Sequence, residues 1–259
     1  MAREAVQAPR PRPHGSHRSA SAGSRLTPRR VLVIVAVGAI VLAAILIGVS
    51  LAGSGGGKQA SGSVTGAVAT EALLRAIPQQ GLSLGRPNAP VTLVEYGDLQ
   101  CPICRAYTVA TLPTLVRDYV RTGKVRLEFR GLAFLGADSE TALKAVIAAG
   151  VQNKSWNMLD LLYRNQGEEN SGWATESTLR AAAAAIPNLY VVRWLDDRGS
   201  SATQDAIPKM RAQAQNLMGS QIRTPTFEVG RTGGSLRYLP ISSLDSSAFT
   251  PALDQLLAR

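Results

Sequence analysis

Apolar and polar positions divide this chain into stretches of different character. Residues 1–30 hold almost no large apolar side chain before Leu26. Residues 31–52 are apolar without a charged interruption, and Ser50 is the one hydroxyl among them. As a helix that stretch would run ~33 Å at ~1.5 Å per residue, enough to cross a ~30 Å hydrocarbon core. A Gly/Ser-rich stretch from Gly53 to about Gly66 follows and reads as flexible. Residues 71–77 have a short helical pattern that stops at Pro78.

From about Gly81 the pattern alternates between strand and helix. Residues 91–96, VTLVEY, are a short apolar run rich in strand formers and predict a buried strand. Residues 101–121 predict a helix kinked at Pro113. The alternation in 125–130 predicts a second strand. Helices are predicted over 139–152, 155–165 and 175–185, and an amphipathic one over 201–218 with Pro208 inside. Short strands at 226–229 and 236–239 and a closing helix at 247–257 complete the order. Strand, helix, strand, a block of helices, two strands and a helix describe an α/β domain with a helical insertion at about 139–218. They do not describe a βαβ series that would build a large parallel sheet.

Charge changes the picture at the N-terminus. The chain of 259 residues has a formal net charge of +10. Seven arginines against Glu4 give residues 1–30 a net +6, so the rest of the chain carries +4. The excess is a tail, expected to be disordered, and no basic face for nucleic acid is implied. Arginines crowding one end of the 31–52 segment predict a signal-anchor helix with its N-terminus in the cytoplasm. Residues 53–80 would then be a flexible linker, and 81–259 a folded domain outside the cytoplasm. A core helix would need a polar face, which 31–52 lacks. A cleaved signal peptide usually has a shorter apolar region, and Arg29-Arg30 is expected at a membrane border without any twin-arginine role.

The candidate chemistry is sulfur. The chain has two cysteines, Cys101 and Cys104, in YGDLQCPICRAY. A Cys-x-x-Cys that follows a strand and opens a helix puts its first sulfur near unpaired amides and the positive end of the helix dipole, which favours the thiolate. Cys101 is therefore the expected nucleophile. Cys104, one turn on, is expected to be buried and to resolve mixed disulfides. Half a zinc site is a poor reading, because the histidines are His14 and His17 in the tail and no third cysteine exists. An inert bridge is also poor, since so short a loop restrains the unfolded chain very little. No metal and no cofactor are expected.

The strand–CPIC–helix unit, the TPTF segment at 224–227 and the helices between them resemble the DsbA-like branch of the thioredoxin superfamily. GKVRLEFR, NQGEENSGW, TPTFEVG and the C-terminal helix extend the resemblance over about 81–259. It implies a thioredoxin-like fold with a helical insertion, here preceded by a single transmembrane helix. It implies a cis peptide at Thr224–Pro225, facing Cys101 and able to pair with an extended substrate strand. It implies a buried acid at Glu95 that relays protons for Cys104. Asp98 and Arg105 flank the motif, with Arg105 read as a solvated helix residue. Two features depart from the pattern: Ile103 stands where strong oxidants carry a histidine, and no acid follows Arg130 in FRGL.

The function implied is a membrane-tethered oxidoreductase that puts disulfides into exported proteins. A membrane enzyme of the DsbB or vitamin-K-epoxide-reductase type would reoxidise it. The same cysteines would serve a reductase or isomerase, for example in cytochrome c maturation. A peptide-binding or chaperone module without redox work is the reading from another class.

Overall fold

The computed structural model describes residues 63–258. The expected tail, the apolar segment 31–52 and the first part of the expected linker lie outside those residues. Among the described residues no helix is long and apolar enough to cross a membrane.

Six strands form one mixed sheet: β1 (Gln79–Gln80), β2 (Ser83–Leu84), β3 (Val91–Asp98), β4 (Val125–Leu132), β5 (Thr226–Arg231) and β6 (Arg237–Leu239). Their spatial order is β1-β2-β4-β3-β5-β6, in which β3 and β4 are parallel and the other pairs antiparallel. Every residue of β3 is buried, as a central strand covered on both faces requires. Alternation along it sorts the side chains. Leu93 belongs with the main core, whereas Val94 and Tyr96 join Leu132 and Ala214 in a second cluster on the other face.

Among the described residues the sheet is flanked by helices α1 (Ala67–Leu74), α2 (residues 102–120), α3 (Ala137–Val151), α4 (Ser155–Arg164), α5 (Glu176–Ala184), α6 (Val191–Gly199), α7 (Ser201–Met218) and α8 (Thr250–Leu257), with a short 3-10 turn at Ser246–Ala248 before the last. The expected kink in α2 takes the form of two π-helical stretches, Tyr107–Thr111 and Val116–Val120, flanking Leu112–Leu115. Pro113 brings no N–H to the ladder, and Leu112 N–H reaches back five residues to the Tyr107 carbonyl. On the α2 side the sheet is sealed by Tyr107, Phe227 and Phe249, whose ring centroids lie 4.9 to 5.7 Å apart.

Three features differ from the sequence reading. The span expected as linker to residue 80 is structured from α1 onward. Thr70 is buried and its hydroxyl donates to Asp160, while Leu74 and Ile77 enter the core. Thr65 is also held by the Asn165 side chain. Strands β1 and β2 are two residues each, too short to leave a pattern. Helix α6 was not predicted: it opens on Val191-Val192 without a side-chain cap, and its place is fixed by Trp194, which is fully buried and donates its Nε1 hydrogen to the Ala145 carbonyl at 2.9 Å.

Candidate active site

The site lies off the carboxyl end of β3, where the strand gives way to α2. Cys101 is the N-cap of that helix, with φ −69° and ψ 116°, and Pro102 takes the first helical position. A proline fits there because no intrahelical partner exists for its missing N–H. The Cys101 N–H donates to the Asp98 carbonyl at 3.0 Å, and the Cys101 carbonyl accepts from Arg105 N–H at 3.1 Å. The Cys104 N–H points at Cys101 Sγ, 3.3 Å away. The sulfur thus caps the helix, as a side-chain oxygen does at most N-termini.

That placement separates the two thiols. Cys101 is lowered from the usual 9.0 to about 6, chiefly by the hydrogen bond from the Cys104 side chain, against the cost of burial. Thr224 and the N–H groups of Cys104 and Ile103 lower it further. Cys104 goes the other way: it is completely buried, and desolvation pushes it well above 9.0, helped by Cys101 and by the charge of Glu95. Cys101 is 5% exposed, beneath a rim that includes the half-exposed Ile103. Both cysteines are free thiols here.

Sheet pairing brings in the second element. β5 runs antiparallel to β3 with Thr226 opposite Tyr96 and Phe227 opposite Glu95, so the residues just before β5 arrive beside the end of β3. The Thr224–Pro225 peptide bond is cis. The Thr224 carbonyl oxygen lies 3.5 Å from Cys101 Sγ. Thr226 Oγ1 donates to the Arg223 carbonyl at 2.9 Å and closes this turn.

Glu95 lies beneath the pair. It is 3% exposed, and neither carboxyl oxygen has a hydrogen-bond partner. Burial raises it from 4.5 to about 8, with the Cys101 charge adding to the rise. Tyr107 and Tyr163, both buried, are pushed up by burial and by the charge of Glu95 as well. Gly97 keeps the space open. A Cβ on it would stand 3.0 Å from the Tyr163 hydroxyl and 3.1 Å from Glu95 Oε1.

The expected residues Glu95, Cys101, Cys104, Thr224 and Pro225 therefore meet at one place. Asp98 and Arg105, expected only to flank the motif, also make contacts here, and Gln100, Gln166 and Asn170 join them without having been predicted. Asp98 is fully buried and accepts from Gln100 N–H, Ser139 Oγ, Phe134 N–H and Leu135 N–H at 2.6 to 3.3 Å. Gln100 pairs with Asn170, which donates its N–H at 2.6 Å and accepts at 3.3 Å. Gln166 donates to the carbonyls of Leu99 and Cys101. Arg105 Nε donates to the Tyr163 carbonyl. The string NQGEENSGW contains Gln166 and Asn170, but nothing in its spacing tells which turn they touch. A cavity of about 360 Å³ opens beside Pro102, lined by Gln100, Arg105 and residues 166–169. Arg130, with no acid after it in sequence, bonds Glu128 at 2.9 Å and Glu228 of β5 at 3.2 Å.

Among the described residues no group of three His, Cys, Asp or Glu side chains could hold a metal ion. Chemically, the arrangement offers one stabilised thiolate just below the surface. Beneath it are a thiol that resists ionisation and a carboxyl poised to exchange protons near neutral pH.

A family model described as thioredoxin matches residues 78–233. A probable disulfide bond formation protein D of Bacillus cereus is 36% identical over 138 residues, 52% of this chain; the chain spans 64% of that relative's own length. The disulfide bond formation protein D of Bacillus subtilis is 30% identical over 98 residues, 37% of this chain and 44% of the relative. Among solved structures, oxidised BdbD from Bacillus subtilis superposes with a TM-score of 0.60 at 22% identity, covering 71% of this chain and 98% of that one. The shared fold is DsbA-like: a thioredoxin core with inserted helices.

Proposed function

The chain belongs to the thioredoxin family, and on that basis we propose that it is a thiol–disulfide oxidoreductase, tethered to a membrane, that puts disulfides into exported proteins. The observation that carries this reading is the opposed perturbation of one sulfur pair. Cys101 is held down to about 6, and Cys104 is pushed well above 9.0 three residues on. Stabilising the Cys101 thiolate stabilises the reduced pair, and each tenfold gain of that kind raises a two-electron potential by ~30 mV.

The exchange runs in two displacements. With Cys101 and Cys104 joined, a client thiolate attacks Cys101 Sγ, the S–S bond breaks, and Cys104 leaves. A mixed disulfide now links client and Cys101. A second client thiolate attacks the client sulfur in that bond and expels Cys101. Two electrons have moved from client to pair, and the client holds the new disulfide. Cys101 departs as the stable thiolate. Cys104 takes up a proton, for which Glu95 is the donor at hand, and the client's other proton goes to water.

Client chain would lie along the Thr224 main chain, whose position supports pairing with an extended segment. Ile103 and Phe134, 51% and 37% exposed, offer apolar contact at the rim. The pair would be reoxidised by a membrane enzyme of the DsbB or vitamin-K-epoxide-reductase type, which passes the two electrons to a quinone. Tethering is supported by the apolar segment 31–52 and the arginines before it.

The experiment is the reduction potential of the Cys101–Cys104 couple, equilibrated against glutathione. A potential well above that of thioredoxin, ~−270 mV, is expected. A value near it would overturn the oxidising role and leave a reductase.

A further inference from the structure

The C-terminal end of α4 grips the reactive turn at several points. The Tyr163 hydroxyl donates to the Asp98 carbonyl at 3.2 Å, and the Tyr163 carbonyl accepts from Arg105 Nε at 3.1 Å. Between those two anchors, Gln166 Nε2 donates to the Leu99 carbonyl at 2.7 Å and to the Cys101 carbonyl at 3.2 Å. One side-chain nitrogen therefore holds two carbonyls of the turn that carries the nucleophile. Gln166 is itself braced. Its neighbour Asn165 accepts from Thr65 N–H at 2.8 Å, donates to the Thr65 carbonyl at 2.9 Å and donates to the Leu161 carbonyl at 2.7 Å.

We propose that Gln166 is a positioning residue for Cys101: its amide fixes the Leu99 and Cys101 carbonyls and so keeps Sγ over the N–H groups that open α2. The residue touches neither sulfur and acts through the backbone. Leu99 is fully buried, and a buried acceptor without a donor is costly. Without the Gln166 amide the turn relieves that cost by rotating the Leu99 carbonyl toward water, while the Cys101 carbonyl keeps only the Arg105 N–H. The rotation shifts the peptide that leads through Gln100 into Cys101 and swings Sγ off the helix end. The thiolate then loses the amide contacts that stabilise it. Few side chains can do this work: a carboxylate has no hydrogen to give, and an asparagine is one methylene shorter.

The inference rests on the exchange chemistry proposed above, but its test needs no exchange partner. The full chain is reduced, and the rate at which iodoacetamide alkylates Cys101 is followed against pH, with the site identified by peptide mass. The wild-type profile is expected to have its midpoint at about 6. Gln166→Met keeps the length and bulk of the side chain without its donor, and Gln166→Ala removes both. Neither alters the titratable and charged groups near Cys101, which include Glu95 and Asp98 on β3, Cys104 and Arg105 on α2, Tyr163 on α4, and Glu168 and Glu169 across the cavity beside Pro102.

Both variants are expected to move the midpoint up by on the order of one pH unit, with circular dichroism spectra unchanged. A folded Gln166→Met variant whose midpoint stays in place overturns the proposal, whatever its melting temperature. Failure of both variants to fold overturns it too, because Gln166 would then serve stability and nothing finer. A wild-type chain with the expected midpoint but no exchange activity would refute the oxidoreductase reading and leave the Gln166 assignment standing.

Discussion

Cys101 Sγ lies 3.5 Å from the carbonyl oxygen of Thr224, a residue 123 positions further along the chain. The contact exists because β5 pairs antiparallel with β3 and delivers its leading turn to the end of the strand that carries the cysteine. Thr224 thus presents its carbonyl to the sulfur, while its side chain is one of the groups that lower Cys101.

That relationship predicts the effect of Thr224→Val, which keeps the shape and the carbonyl but loses the hydroxyl. A single neutral hydrogen bond contributes about 1 kcal/mol, so the Cys101 midpoint should rise by somewhat under one pH unit. The pH profile of alkylation checks it. Client main chain would still find the Thr224 carbonyl, so the rate with a peptide disulfide should fall at pH 6 and recover above pH 8, where the thiol ionises in either protein.

Cys104→Ser should leave Cys101 able to form mixed disulfides but unable to resolve them by internal attack. In cells the variant should accumulate adducts, visible on a non-reducing gel and lost on reduction. Cys101→Ser should give none, since Cys104 is completely buried and resists ionisation. Adducts on Cys104 in the Cys101→Ser protein would reverse the assignment of nucleophile and resolving thiol.

The parts legible in the sequence were those written in neighbouring residues. VTLVEYGDLQCPIC gives a buried strand, a turn and a helix start within fourteen positions, and the role of each cysteine follows from its place at that helix end. The bonds that hold the turn were not legible. Gln100 meets Ser139 and Asn170, and Gln166 meets Leu99, across 39 to 70 residues of chain. Polar residues in a helical insertion carry no mark of which distant carbonyl they satisfy. Helix α6 was hidden for a different reason: Val191 and Val192 favour strands locally, and burial of Trp194 outweighs that preference. The helical pattern at 71–77 shows part of Ala67–Leu74, but not that this helix docks on the domain, because the docking depends on Thr70 reaching Asp160.

Gly97 offers a packing test close to the site. A Cβ there would stand 2.8 Å from Phe129 Cε2, besides its close approaches to Tyr163 and Glu95, and all three side chains are buried. Gly97→Ala should therefore destabilise the domain by about 1–3 kcal/mol through overpacking, read as a lower denaturant midpoint with an unchanged slope. Gly199→Ala is the control: nothing lies within 4 Å of a Cβ there, and the position ends helix α6. That change should be neutral within a few tenths of a kcal/mol.

Glu95 makes a prediction about stability and pH. Its folded value is about 8 against 4.5 in the ordinary state, so between those values the folded protein holds a proton that the unfolded chain has released. Stability contributed by the neutral carboxyl is full below pH 4.5 and is lost as pH rises toward 8, by at most about 1.4 kcal/mol per pH unit. Cys101 acts in the opposite sense. It is lowered from 9.0 to about 6, so above pH 6 the folded protein has released a proton that the unfolded chain keeps, and stability rises with pH until about 9. The reduced wild-type protein should therefore lose stability from pH 4.5 to 6 and change little from 6 to 8, where the two slopes oppose each other. Glu95→Gln removes one of them. Its stability should be flat from pH 4.5 to 6 and climb above 6. Urea titrations of both proteins at half-unit steps of pH decide the matter. Parallel curves for wild type and variant would mean that Glu95 ionises as freely in the folded protein as outside it, and the proton relay for Cys104 would then lose its physical basis.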